Sequence, residues 1–142
     1  MDYAFEFGGF PQDVTVTASG EARVSEFRHL FEELFDEPSF RAGMRVLLDL
    51  CQVDMSAIPL MEASKIGLSL AEFEDRCEGC AIAVVSRDPL TSVLTRAAEF
   101  RETVQQVDIW FAVTREEARE WLSLQIAVDA AAQSSARDSK RG

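Results

Sequence analysis

Residues 44–50 read MRVLLDL and residues 81–85 read AIAVV, two short and almost wholly apolar runs, the first entered at Gly43 and the second just past Gly79. A strand covered on both faces reads this way, because neither face alternates with solvent, and such strands belong to parallel sheets. Residues 107–113 (VDIWFAV) form a third run of the kind. Around these runs the period changes. Val24, Phe27, Leu30, Phe31, Leu34 and Phe35 recur at spacings of three and four and predict a helix ending near Asp36, before Pro38.

Outward from this centre the other elements follow. Tyr3, Phe5 and Phe7 alternate with Ala4 and Glu6 up to Gly8-Gly9 and Pro11; Val14, Val16 and Ala18 alternate with Thr15 and Thr17 up to Gly20. These predict two strands joined as a hairpin. Ala57 to Asp75 reads as a helix through Leu60, Ala63, Ile66, Leu70 and Phe73, with Pro59 in its first turn and Gly79 as the stop. Asp88-Pro89 opens a further helical pattern through Leu90, Val93, Leu94, Ala97 and Ala98. Thr114 with Glu117 forms a capping box for a closing helix through Ala118, Trp121 and Leu122 to about Ala132. The expectation is one α/β domain over 1–132, ordered β-β-α-β-α-β-α-β-α, with a mixed, mostly parallel sheet of about five strands, four helices, and a loose tail over 133–142.

The composition fits that fold and excludes several classes of function. Of 142 residues, 47% are hydrophobic and 27% charged, with 7 Gly and 4 Pro, so neither a fibrous nor a disordered chain is indicated. No apolar run approaches the ~20 residues that span a bilayer, and Asp2 and Glu6 stand where a signal peptide carries basic residues. The expected location is cytosolic, with the 3 cysteines free. Net charge is −11; residues 133–142 hold Arg137, Lys140 and Arg141 against Asp138, a net +2, so the rest carries −13. Such a body repels phosphate backbones and anionic headgroups, which disfavours nucleic acid and membrane surfaces as partners.

Catalytic chemistry finds little material. The single histidine, His29, lies on the polar flank of the first helix, and no P-loop, G-x-G-x-x-G or G-x-S-x-G pattern occurs. Cys77-Glu78-Gly79-Cys80 has the C-x-x-C spacing, but it closes a helix and enters a strand, the reverse of the thioredoxin arrangement, and the dipole there raises a thiol pKa. A zinc site would need two more ligands, with only Cys51 and His29 left to supply them. No cofactor, metal or catalytic residue is expected. In open sheets with parallel strands, ligands gather at the strands' carboxyl ends. That edge follows Leu50, Val85 and Val113, and it makes Asp49, Asp54, Ser56 and Ser86 the candidate contact residues.

RVLLDL (45–50) with its loop and helix, AIAVV (81–85) and VDIWFAVTREEAREWL (107–122) together resemble the STAS domain, in particular the small free-standing SpoIIAA-like and STAS/SEC14-like bacterial proteins. The resemblance covers about residues 3–122. It implies a mixed sheet without catalysis and, from the anti-anti-sigma members, binding of a kinase partner switched by serine phosphorylation. The family's serine sits in a D-S-S-G or D-x-S-G pattern at the start of the helix after the L-D strand. Here direct alignment from Asp49 brings up Ala57-Ile58-Pro59-Leu60, and a slide of three residues brings up Asp54-Met55-Ser56, which makes Ser56 the candidate phosphorylation site.

The function expected is thus a regulatory or scaffold module that binds another protein. The alternative is a small-molecule or lipid-binding module of the SEC14-like type, with Phe27, Phe31, Phe35 and Phe40 as pocket material. The closing helix adds a second expectation. Ala118, Leu122 and Ile126 form one apolar side and Trp121, Leu124 and Val128 another, spanning about 200° where a surface helix needs about 100°. A homodimer through Trp121, Leu124 and Val128 would cover the excess.

Overall fold

The computed structural model describes residues 1–59, 62, 64–87 and 107–125. Strands β1 (Asp2–Phe7) and β2 (Val14–Glu21) form the antiparallel hairpin, with Phe7 opposite Val14 and Asp2 opposite Ser19. Gly8 and Gly9 both take positive φ, at 104° and 110°, which is why the chain can reverse there. Helix α1 (Val24–Asp36), strand β3 (Arg45–Asp54), helix α2 (Ser64–Ala71), strand β4 (Ala81–Val85) and strand β5 (Asp108–Ala112) follow. A third helix, α3, runs over 115–125. The strands lie in the order β1-β2-β3-β4-β5, and every neighbouring pair from β2 to β5 is parallel.

The sheet has helices on both faces. Val14 and Val16 of β2, Val46 and Leu48 of β3 and Ile82 and Val84 of β4 point to the side of α1 and α2, where Phe27, Leu30, Phe31 and Leu34 meet them. The opposite rows, Leu47, Ala81, Ala83, Val85 and Ala112, are covered by Ala118 and Leu122 of α3, both fully buried. Alternation makes β3 and β4 apolar on both faces, as the two opening runs require. Phe27, Phe31 and Phe35 are buried core, and Phe31–Phe35, Phe35–Phe40 and Phe35–Phe73 pack ring on ring at 6.3, 4.9 and 5.7 Å. No described helix is long and apolar enough to cross a membrane.

The structure changes three details of the sequence reading. Strand β3 continues past Leu50 to Asp54, because Gln52, Val53 and Asp54 pair with Ser19, Gly20 and Glu21 of β2 after β4 has ended. Helix α2 is much shorter than 57–75. After Ala71 the chain proceeds by three-residue turns, with Phe73, Glu74 and Arg76 N–H groups on the carbonyls of Leu70, Ala71 and Phe73. Glu72, Glu74 and Asp75 crowd the helix's negative end, where acidic side chains are unfavourable. Gly79 (φ 77°) consequently does not cap α2; it turns the chain so that the Cys80 N–H reaches the Cys77 carbonyl at 3.0 Å. Three helices lie among the described residues, where four were expected; the pattern at Leu90 to Ala98 lies outside them, as do Ile126, Val128 and the tail.

Candidate functional site

Asp49 and Arg115 organise the carboxyl side of the sheet. Asp49 sits mid-strand, between Thr17 of β2 and Val85 of β4, on the α3 face with Leu47 and Cys51. It is buried, and both carboxylate oxygens are engaged. The Cys51 N–H donates to Oδ1 at 2.9 Å, and Arg115 Nε donates to Oδ2 at 2.5 Å. Arg115 Nη2 also donates to Thr17 Oγ1 at 3.3 Å. Burial pushes the Asp49 carboxyl up, but the Cys51 N–H and the Arg115 guanidinium outweigh it, and the group rests below its ordinary value.

Arg115 is the first residue of α3, and its placement follows from the cap before it. The Glu117 N–H donates to Thr114 Oγ1 at 3.2 Å, half of the expected capping box. The return arm falls one residue earlier, with the Val113 N–H donating to Glu117 Oε2 at 3.2 Å. The cap fixes where α3 begins, and the ion pair fixes that beginning to the middle of β3. Arg87, just past β4, reaches the same cluster. Burial and then Asp49 raise the Cys51 thiol's pKa, while Arg87 acts in the other direction.

Around this internal post lies an exposed rim. Asp54 ends β3 and its Oδ1 accepts the Ser56 N–H at 2.9 Å, closing a small turn whose two side chains face water. The Ser56 hydroxyl and N–H hold the Asp54 carboxyl below its ordinary range, so it stays charged. Ser86, half-buried, is anchored by its N–H on the Ala112 carbonyl at 3.0 Å, and Val113 is 53% exposed. The four sequence candidates therefore part company: Asp54, Ser56 and Ser86 are on the rim, while Asp49 is beneath it. Ser56 is also not at the start of a helix, where the family's serine sits, since α2 begins at Ser64. Nor does the strand order reverse anywhere in the sheet, so the crevice that a topological switch point creates is lacking among the described strands.

Other candidates resolve individually. His29 is exposed on α1. Cys77 and Cys80 are buried free thiols, and burial first, then Cys80 and Glu74, push Cys77 up to about 12. The helix dipole invoked for that shift is remote, because α2 has already ended. Among the described residues no group of three or more His, Cys, Asp or Glu side chains could hold a metal ion. On α3, Trp121 stacks on Trp110 of β5 at 6.0 Å with planes 14° apart, so the chain covers part of the second apolar side itself. Leu124 is left 59% exposed, bordering a groove of about 720 Å³ between α3 and the β1–β2 turn, with Phe10 and Arg115 among its other walls.

Sequence reasoning did not find Arg115 or Arg87. The capping box located the residue after Thr114, but nothing local marks it as the partner of a side chain 66 positions away.

No family model matches the chain, and no curated protein matches it. Its structure is similar to that of an uncharacterized protein of the DUF3478 family with a SpoIIAA-like fold, from Shewanella loihica PV-4, with a TM-score of 0.51 and 17% identity over 85% of this chain and 92% of that one. The chain therefore has a SpoIIAA-like fold, as the resemblance to STAS domains implies.

Proposed function

We propose that the protein is a non-enzymatic regulatory or scaffold module that binds another protein through the rim at the carboxyl edge of its sheet. Asp54, Ser56 and Ser86 are the contact residues in this reading, and Asp49 holds the rim in shape from below. The observation that carries it is the Asp49–Arg115 pair, which ties the start of α3 to the middle of β3, the strand that carries the exposed Asp54–Ser56 turn. Binding residues displayed on a rigid support lose little freedom when a partner arrives. A charged Asp54 on a body of this net charge fits a partner with a basic contact surface. Ser56 is the hydroxyl a kinase would reach, and a phosphate there would set a second negative charge beside Asp54 and dismantle their shared turn.

Two observations weigh against the competing readings. All three thiols have raised pKa values, which keeps them protonated and poorly nucleophilic near neutrality. The phenylalanines that an apolar ligand would need are packed against one another instead.

Site-specific photocrosslinking in the producing cells tests the proposal. A photoreactive residue at Ser56, Ser86 or Val113 should give the same discrete adduct, and one at His29 on α1 should not. No adduct from the rim, or equal adducts from both places, would overturn it. Mass spectrometry of the purified protein checks the alternatives: phosphate on Ser56 supports regulation, whereas a retained apolar ligand supports a small-molecule module.

A further inference from the structure

The β1–β2 ladder leaves one row of backbone groups open. The Gly8 N–H donates to the Asp13 carbonyl at 2.7 Å, and along an antiparallel strand the residues facing the partner alternate with those facing away. Glu6, Ala4 and Asp2 therefore turn their N–H and C=O groups toward β2, and Phe7, Phe5 and Tyr3 turn theirs outward. The far side of the sheet gives the same phase. The Ala81 N–H donates to the Met44 carbonyl, which directs Val46 and Leu48 toward β4 and Leu47 and Asp49 toward β2. Through the β2–β3 register, Val14 and Val16 then face β3, leaving Thr15 and Thr17 for Glu6 and Ala4. β1 ends the sheet, and no described strand pairs with its outer side.

The side chains along this edge carry one sign of charge. Asp2 and Glu6 are exposed on one face of β1. On the other face, Glu33 and Glu26 of α1 stand close enough to Tyr3 to help burial raise its hydroxyl's pKa. Carboxylates thus flank the open row on both sides, Asp2 and Glu6 on one and Glu33 on the other, while Glu26 is paired with the Met1 ammonium.

We propose that the outer edge of β1 docks an extended, basic segment of another polypeptide, which adds a strand to the sheet through the outward N–H and C=O groups of Tyr3, Phe5 and Phe7. Main-chain bonds supply affinity in this mode, and alternate side chains supply selectivity. Lys or Arg at alternate positions would lie against Asp2 and Glu6, while like charges opposite one another destabilise a strand pair. That rule disfavours a second copy of this chain: pairing β1 with itself, Ala4 against Ala4, sets Asp2 opposite Glu6 of the copy at both ends. Acidic residues on an edge strand protect it from its own kind. Here they also select for a partner of opposite charge. This edge is on the opposite side of the hairpin from β3 and its rim, so its test stands apart from that of the carboxyl-edge reading.

The probe is the end-blocked peptide Arg-Val-Arg-Val-Arg-Val, with Glu-Val-Glu-Val-Glu-Val as the control, each titrated into the full-length protein. Amide exchange is read residue by residue. The basic peptide should slow exchange at Tyr3, Phe5 and Phe7, which no described strand pairs, and the acidic one should not. The double substitution Asp2→Lys, Glu6→Lys should weaken the basic peptide roughly tenfold or more, since two attractive cross-strand contacts become repulsive. Its unfolding curve confirms that the fold is intact. No slowing at these three amides at saturating peptide, protection elsewhere only, or equal binding of both peptides would overturn the proposal.

Discussion

Replacing Arg115 by alanine and, separately, Asp49 by asparagine should cost unequal amounts of stability, with Arg115→Ala the larger. The two partners differ in exposure: the Asp49 side chain is 11% exposed and that of Arg115 51%. Removing the arginine strands an ionised carboxylate inside the sheet with no cation paired to it and only Cys51 still holding it. Removing the carboxylate's charge strands only a guanidinium that water already half surrounds, and asparagine keeps an oxygen for the Cys51 N–H. Breaking a fully buried pair costs about 3–5 kcal/mol and an exposed pair about 0–1 kcal/mol. The half-exposed arginine places Arg115→Ala between those limits, at about 2 kcal/mol, and Asp49→Asn at about 1 kcal/mol. Urea unfolding at neutral pH with linear extrapolation resolves the difference. Acid gives an independent check. Burial raises the Asp49 carboxyl, yet the Cys51 N–H and Arg115 lower it further, so its folded value lies below its unfolded one. Its contribution is then complete above the unfolded aspartate value of about 3.9 and is lost as pH falls through the folded value. The gap between wild type and Asp49→Asn should therefore close below about pH 4. Asp49→Asn costing as much as Arg115→Ala, or a gap that stays constant into acid, would show that the buried carboxylate does not depend on Arg115 in this way.

Three further outcomes are expected. Leu48→Ala, in a strand buried on both faces, should cost about 2–5 kcal/mol in the same unfolding assay, from lost transfer energy and a cavity; a loss under about half a kcal/mol would contradict the packing. Alkylation of the native protein near neutral pH should modify Cys51, which is partly exposed, before Cys77 and Cys80, which should react only on unfolding; early labelling of Cys77 would contradict its burial. If α3 mediates self-association, Leu124→Glu should convert a dimer to a monomer in sedimentation at micromolar concentration, and a wild-type protein that already sediments as a monomer would end that reading.

How far the sequence revealed this molecule depends on how local each cause is. RVLLDL and AIAVV were legible as central strands because each is covered on both faces, and burial on both faces leaves an uninterrupted apolar run. The last four residues of β3 escaped notice because Cys51-Gln52-Val53-Asp54 is half polar: there the strand has lost β4 as a neighbour, and only pairing with β2 keeps it extended. The end of α2 was misplaced because Phe73 keeps helical spacing with Leu70 although acidic residues have already ended the helix. At the site, Asp54 and Ser56 could be read from their turn chemistry. Asp49 could be singled out but not placed, since its burial and its role depend on an arginine from the far end of the chain. The apolar excess on α3 was visible, but its partial cover by Trp110 was not, because that contact joins two elements whose relative position only the fold determines.

The proposed function places another protein on the carboxyl-edge rim. Amide hydrogen exchange on the purified complex with the protein recovered from the Ser56 crosslink tests it most directly. Binding should slow exchange in the Asp54–Ser56 turn, at Ser86 and Arg87 past β4, and at Val113 and Thr114 before α3. Slowed exchange on the outer face of α1, with the rim unchanged, would contradict it.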